Sequence, residues 1–228
     1  MSERLDQTAI NALATGRAAA RREAPAGPTT GRIEAFSDGV IAIILTIMVL
    51  ELKPEHTSDS RFWTAFVVPL APKLISYAMS FLVVAIMWVN HHQLMDTALS
   101  ATRPLLWWNN HLLFWMSLIP FATAYVGNNP TSSVAVAVYG FVLFASASSF
   151  VILRRSVARM GEPDERLREL HNRVMRKSLL GATIYGASIP LAFVSVYLSM
   201  IAFLAVPALF FMPDPVPGQA ELEGIEKT

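Results

Sequence analysis

The chain alternates long apolar runs with short polar or charged breaks, and the length of each run carries the first inference. A helix rises 1.5 Å per residue, so about 20 apolar residues cross the roughly 30 Å of hydrocarbon in a bilayer. Ile33 to Leu52 form one such run, interrupted only by Glu34, Asp38 and Glu51, and Leu74 to Met95 form a second that carries no charge. Pro104 to Leu153 again contains no Lys, Arg, Asp or Glu. That stretch is too long for one crossing, and Gly127-Asn128-Asn129-Pro130 is a strong turn signal within it, so it predicts two helices joined as a hairpin. Ser178 to Pro213 is uncharged as well. As one helix it would measure about 54 Å, too long for one crossing and tight for two, and we place its break near Ser195 to Ser199. The pattern therefore predicts an all-α membrane protein with six transmembrane helices per subunit over residues 32–212.

Composition agrees and narrows the options. Of 228 residues, 54% are hydrophobic and only 15% charged, well below the roughly 25% of an average soluble domain. The net charge of +1 implies no nucleic-acid partner, and the absence of cysteine removes disulfides, thiolate metal sites and cysteine nucleophiles. Charge placement orients the chain. With six crossings, fifteen of the 18 Lys and Arg fall on one side and only Lys53, Arg61 and Lys73 on the other, so the positive-inside rule puts both termini in the cytoplasm of a multi-pass protein expected in the plasma membrane. Residues 1–31, rich in Ala, Thr, Gly, Pro and Arg, cannot bury a core and are expected to be a disordered cytoplasmic tail; residues 213–228 form a second tail. Asp164 to Lys177 pairs Asp164 with Arg168 and Glu169 with Arg173 at i, i+4 spacing, which predicts a solvated helix leading into span five. Trp107 and Trp108 at the start of span three, and Phe62 and Trp63 before span two, suit interface anchors.

The chemistry-bearing residues cluster at the start of span one and the end of span two. An ionised Asp in hydrocarbon costs on the order of 2.5 to 3.5 kcal/mol, so Asp38 should face protein or water and have hydrogen-bond partners. It reads as a polar clamp between helices, as an ion or proton ligand, or as an acid tolerated near the interface; Arg32, six residues earlier, reaches it only obliquely. Span two ends in Trp88-Val89-Asn90-His91-His92-Gln93-Leu94-Met95-Asp96. His92 and Asp96 share a helix face, but two ligands do not make a metal site and none is expected. The five histidines also fall short of the eight or so that a membrane di-iron oxidase needs. His91 or His92 is the expected partner of the Asp38 region, since both chain segments lie toward the cytoplasm. Gly186-Ala187-Ser188 matches half of a serine-hydrolase elbow, with no later histidine to act as base, and reads better as small-residue helix packing. Val138-Tyr139-Gly140-Phe141 sits mid-span rather than in a re-entrant loop and is no potassium filter. Gly39, Ile43, Thr46 and Leu50 fall on one stripe of span one, apolar apart from one hydroxyl. Such a stripe either packs on neighbouring helices or, if several copies surround an axis, forms a hydrophobic constriction beside a ring of hydroxyls.

Phe36-Ser37-Asp38 opening the first membrane helix, Arg32 upstream, Trp88 and Asn90-His91-His92 closing the second, and six spans before residue 212 together resemble the transmembrane protein 175 family of potassium channels in its single-repeat prokaryotic form. The resemblance covers about residues 32–212 and implies a homotetramer in the lipid bilayer around a central pore lined by helix 1, without a re-entrant filter loop. It implies a constriction at Ile43, a hydroxyl ring at Thr46 and a further apolar layer at Leu50. The Phe36-Ser37-Asp38 motif then clamps helix 1 to the helices behind it, with Arg32, Trp88, Asn90 and His91 as its partners. The expected activity is passive conduction of K+, modestly favoured over Na+, by a protein that is not an enzyme and needs no cofactor. Two rivals stand beside it: a proton or other-cation conductor on the same scaffold, and a non-conducting transporter or scaffold. Span four carries no regular Arg series, so no voltage sensor is expected.

Overall fold

Hydrocarbon offers no water to backbone N–H and C=O groups, so each charge-poor run satisfies them within its own helix. The computed structural model describes residues 29–53, 67–161 and 165–211. The elements among these residues are all helices: α1 (Thr30–Leu50), α2 (Val68–Asp96), α3 (Arg103–Ser117), α4 (Ile119–Asn128), α5 (Ser133–Ala158), α6 (Glu165–Val194) and α7 (Val196–Phe211). Residues 1–28 of the expected N-terminal tail and all of the expected tail 213–228, together with Phe62, Trp63 and Asp164, lie outside the described residues, whereas Thr30 and Gly31, expected in the tail 1–31, already form the first turn of α1. Thr30–Leu50, Leu70–Asp96, Ser133–Ala158 and His171–Val194 are each long and apolar enough to cross a membrane. α3 and α4 together fill the predicted third span, and α7 is a shorter apolar helix. The charged segment from Glu165 continues into the apolar part of α6 without a break.

Two interruptions have local causes. α3 and α4 are divided at Leu118, because Pro120 lacks the N–H that would bond the Met116 carbonyl; Leu118 instead donates to Trp115 O at 3.2 Å in a tighter turn. The hydrophobic pattern alone reads this stretch as one uninterrupted helix. α6 and α7 are divided at Ser195, within the segment where the sequence places the break, and its Oγ accepts from the Leu198 N–H as a helix cap. α7 then folds back antiparallel along α6: Val206 meets Gly181, and the Ser199 hydroxyl donates to Ser188 O. Pairings across the other helices set α1, α3–α4 and α6 running one way and α2, α5 and α7 the other.

α5 is the central rod, packed by α3, α4, α6 and α7. Lipid tails are as apolar as leucine, so helices associate in a membrane by close backbone approach and interhelical hydrogen bonds rather than by exclusion from water. Gly140 of α5 permits that approach: a Cβ there would stand 2.8 Å from Ser188 Oγ and 3.3 Å from the Phe203 ring. Ser188 is fully buried and bonded to the Tyr185 carbonyl, so Gly186-Ala187-Ser188 sits in helix packing, and Tyr139-Gly140 lies within continuous helix. A buried hydroxyl cluster of Ser80, Thr123 and Tyr139, with contacts of 2.7 and 2.9 Å, ties α2, α4 and α5 together. α1 packs on α2, α3 and α4, burying Ile33, Ser37, Ile41, Ile44 and Met48.

Candidate functional site

The buried residues of α1 recur every three or four positions, so its other face is left uncovered by the rest of the subunit. Gly39, Ile43, Thr46 and Leu50 all lie on that open face; Ile43 is 57% and Leu50 67% exposed, and nothing stands within 4 Å of a Cβ placed on Gly39. Ile47 shares it. The Thr46 hydroxyl lies 3.0 Å from both Ala42 O and Ile43 O, so its proton is directed at its own backbone. With the proton turned inward, the oxygen presents lone pairs to the open side, the polarity a cation needs. An open groove of about 420 Å³ flanks this face between α1 and α3–α4, with Ile43, Ile47, Pro120 and Phe121 in its walls.

On the opposite face α1 is held by a directional hydrogen-bond relay. Ser37 sits one turn after Ile33 and donates to its carbonyl at 2.8 Å, so its oxygen can only accept from outside. Asn109 of α3 meets that requirement with Nδ2 at 2.9 Å. The amide then turns Oδ1 toward His91 of α2, 2.7 Å from Nε2, which fixes the imidazole as the Nε2–H tautomer. Ser37, Asn109 and His91 are all buried, and His91 Nδ1 has no partner among the described residues. Nearer the edge, Trp88 Nε1 donates to Asp38 Oδ1 at 2.9 Å, and His92 Nδ1 lies 2.5 Å from Glu34 Oε1. Three helices therefore meet at the first two turns of α1.

Of the residues named from sequence, Ser37, Asp38, Trp88 and His91 come together here. Asn90 does not join them: its amide bonds Ile86 O in its own helix. Arg32 is exposed and forms no ion pair among the described residues, and Phe36 points away from the subunit, 58% exposed. Asn109 and Glu34 escaped the sequence reading. Each left a signal: Asn109 is an amide inside a charge-free run, where an unmatched polar group is costly, and Glu34 precedes Asp38 by one helical turn.

Comparison with known proteins bears on this arrangement. The family model described as Endosomal/lysosomal potassium channel TMEM175 matches residues 32–120, the stretch that holds α1 to the first residues of α4. A potassium channel of Chryseobacterium sp. (strain P1-3) is 39% identical over 188 residues, covering 82% of this chain and 94% of that protein. A potassium channel of Streptomyces collinus is 36% identical over 195 residues, covering 82% and 94%. The crystal structure of a lysosomal potassium-selective channel TMEM175 homolog from Chamaesiphon minutus superposes with a TM-score of 0.70 at 31% identity, covering 79% of this chain and 95% of that one. The human endosomal/lysosomal proton channel TMEM175 is 33% identical over 99 residues, 40% of this chain and 20% of its own length.

Proposed function

Because the chain belongs to the TMEM175 family of potassium channels, we propose that it forms a homotetrameric pore lined by α1 that conducts K+ passively across the membrane. The observation that carries this reading is the open face of α1, where Ile43, Thr46 and Leu50 stand uncovered by their own subunit. Around a fourfold axis that face becomes a narrow lumen. Four Ile43 side chains form a bare apolar ring, which holds back water and ions until they move apart. The groove beside Ile43 gives each side chain room to withdraw without disturbing the core. One turn on, four Thr46 oxygens with inward-turned protons replace part of a cation's lost hydration. Four neutral oxygens suit an ion that gives up water readily, so K+ is favoured over Na+, and they do so less sharply than stacked carbonyl rings. Leu50 supplies a second apolar layer. The Ser37–Asn109–His91 relay takes no part in conduction; it holds α1 at fixed rotation so that the same face meets the axis in every subunit.

A second reading follows from the vertebrate relatives named as proton channels: protons, rather than K+, are the conducted ion. Purified protein in liposomes under opposed K+ and H+ gradients separates the two. A reversal potential that tracks K+ supports potassium conduction, one that tracks pH supports the alternative, and flux no greater than in empty liposomes overturns both.

A further inference from the structure

The end of α2 carries a second feature that the relay does not use. His92 and Asp96, one turn apart, share a face, and Glu34 of α1 projects onto it from across the helix pair. One donor atom from each of the three lies within 4.8 Å of the others. We propose that Glu34, His92 and Asp96 form a binding site for a borderline transition-metal dication, with Zn2+ as the type case, that bridges α1 and α2.

Three features favour an ion over a simple ion pair. First, the three side chains already converge, with His92 Nδ1 2.5 Å from Glu34 and Nε2 4.0 Å from Asp96; a single ring nitrogen takes the ion, so the Nδ1–Glu34 contact opens and the ring turns as the ion enters. Ligand atoms about 2.0 to 2.2 Å from a shared tetrahedral ion stand about 3.3 to 3.6 Å apart, so Glu34 draws back from the ring while Asp96 closes in. Second, the ring is oriented in advance. Trp88 stacks on His92 at 6.1 Å between centroids and 22° between planes, and Trp88 is itself held by its bond to Asp38. Third, the triad is reachable, with the His92 side chain 50% and the Asp96 side chain 64% exposed. One imidazole and two carboxylates, with water at the remaining position, form a donor set suited to Zn2+; Mg2+ prefers an all-oxygen octahedron. The bound ion ties the first turn of α1 to the last turn of α2. The site draws only on α1 and α2 and does not depend on the pore.

The test is calorimetric titration of the intact, untagged protein in detergent with zinc chloride. The expected result is one Zn2+ per subunit, weakened at least about tenfold by each of His92→Ala, Asp96→Asn and Glu34→Gln. A melting curve shows whether each variant is folded, and Zn2+ should raise the melting temperature of the parent more than that of any variant. Absence of one-per-subunit binding in the parent, or variants that bind Zn2+ as the parent does, overturns the proposal.

Discussion

Asn109→Ala isolates the relay that holds α1. The side chain makes two buried interhelical hydrogen bonds, at 2.7 Å to His91 and 2.9 Å to Ser37. Such bonds in membrane proteins average about 0.6 kcal/mol and reach about 1.7, so the pair contributes about 1 to 3 kcal/mol. Removing the amide also strands the Nε2–H of His91 in a position with no solvent exposure, and an unmet buried donor costs about 1 to 3 kcal/mol, partly the same loss counted again. The expected destabilisation is about 2 to 4 kcal/mol. Ser37→Ala should cost less, about 1 kcal/mol, because the Ser37 proton already goes to Ile33 O within α1. Asn90→Ala, whose amide bonds only its own helix, should stay below about 1 kcal/mol. Reversible unfolding in mixed micelles with increasing SDS measures all three, and the Ser37→Ala, Asn109→Ala double variant closes the cycle. A coupling of about 0.5 to 1.5 kcal/mol is expected. Additivity within about 0.3 kcal/mol, or an Asn109→Ala loss no larger than that of Asn90→Ala, refutes the relay.

Three further outcomes follow from named contacts. Thr46→Val keeps the shape of the side chain and removes its oxygen, so the K+ to Na+ permeability ratio from reversal potentials should fall toward one. Ile43→Ala widens the apolar ring and should raise basal K+ flux in liposomes severalfold with ion preference retained. Gly140→Ala forces a methyl group to 2.8 Å from the Ser188 hydroxyl and 3.3 Å from the Phe203 ring, and should destabilise the subunit by about 1 to 3 kcal/mol in the same SDS titration.

The sequence made the architecture legible where one rule dominates. Charge-free runs must be helical in hydrocarbon, so the long helices, the turn after Asn128 and the break at Ser195 followed from length and turn residues. The interruption at Leu118 did not, because Pro120 sits near the middle of an otherwise uniform run and a proline there can equally be absorbed as a gentle kink. The helix clamp was half legible. An acid beside hydrocarbon demands a donor, which points to the end of the neighbouring helix, but the residues alone single out His91 or His92 there; Trp88, which donates to Asp38, comes only with the family resemblance. Asn109 was not foreseen, since which of several amides and hydroxyls meets Ser37 depends on helix rotation, and a spacing of 72 residues carries no register. Asn90 shows the converse: it stands next to His91 in sequence, yet the 100° turn per residue aims it elsewhere and its own backbone takes the bond. Phe36 was expected inside the clamp, but in the single subunit it lies on the outward side.

The lining of the pore by α1 is tested most directly with a single thiol. The chain has no cysteine, so Ile43→Cys introduces one reactive site per subunit on the open face, and Ile41→Cys places its counterpart on the buried face of the same helix. K+ flux through liposomes is recorded before and after treatment with a charged methanethiosulfonate reagent, with labelling checked by mass spectrometry. The account predicts that modification at Ile43 abolishes K+ flux while the reagent leaves the parent protein unchanged. Full labelling of the Ile43→Cys variant with undiminished K+ flux would contradict it.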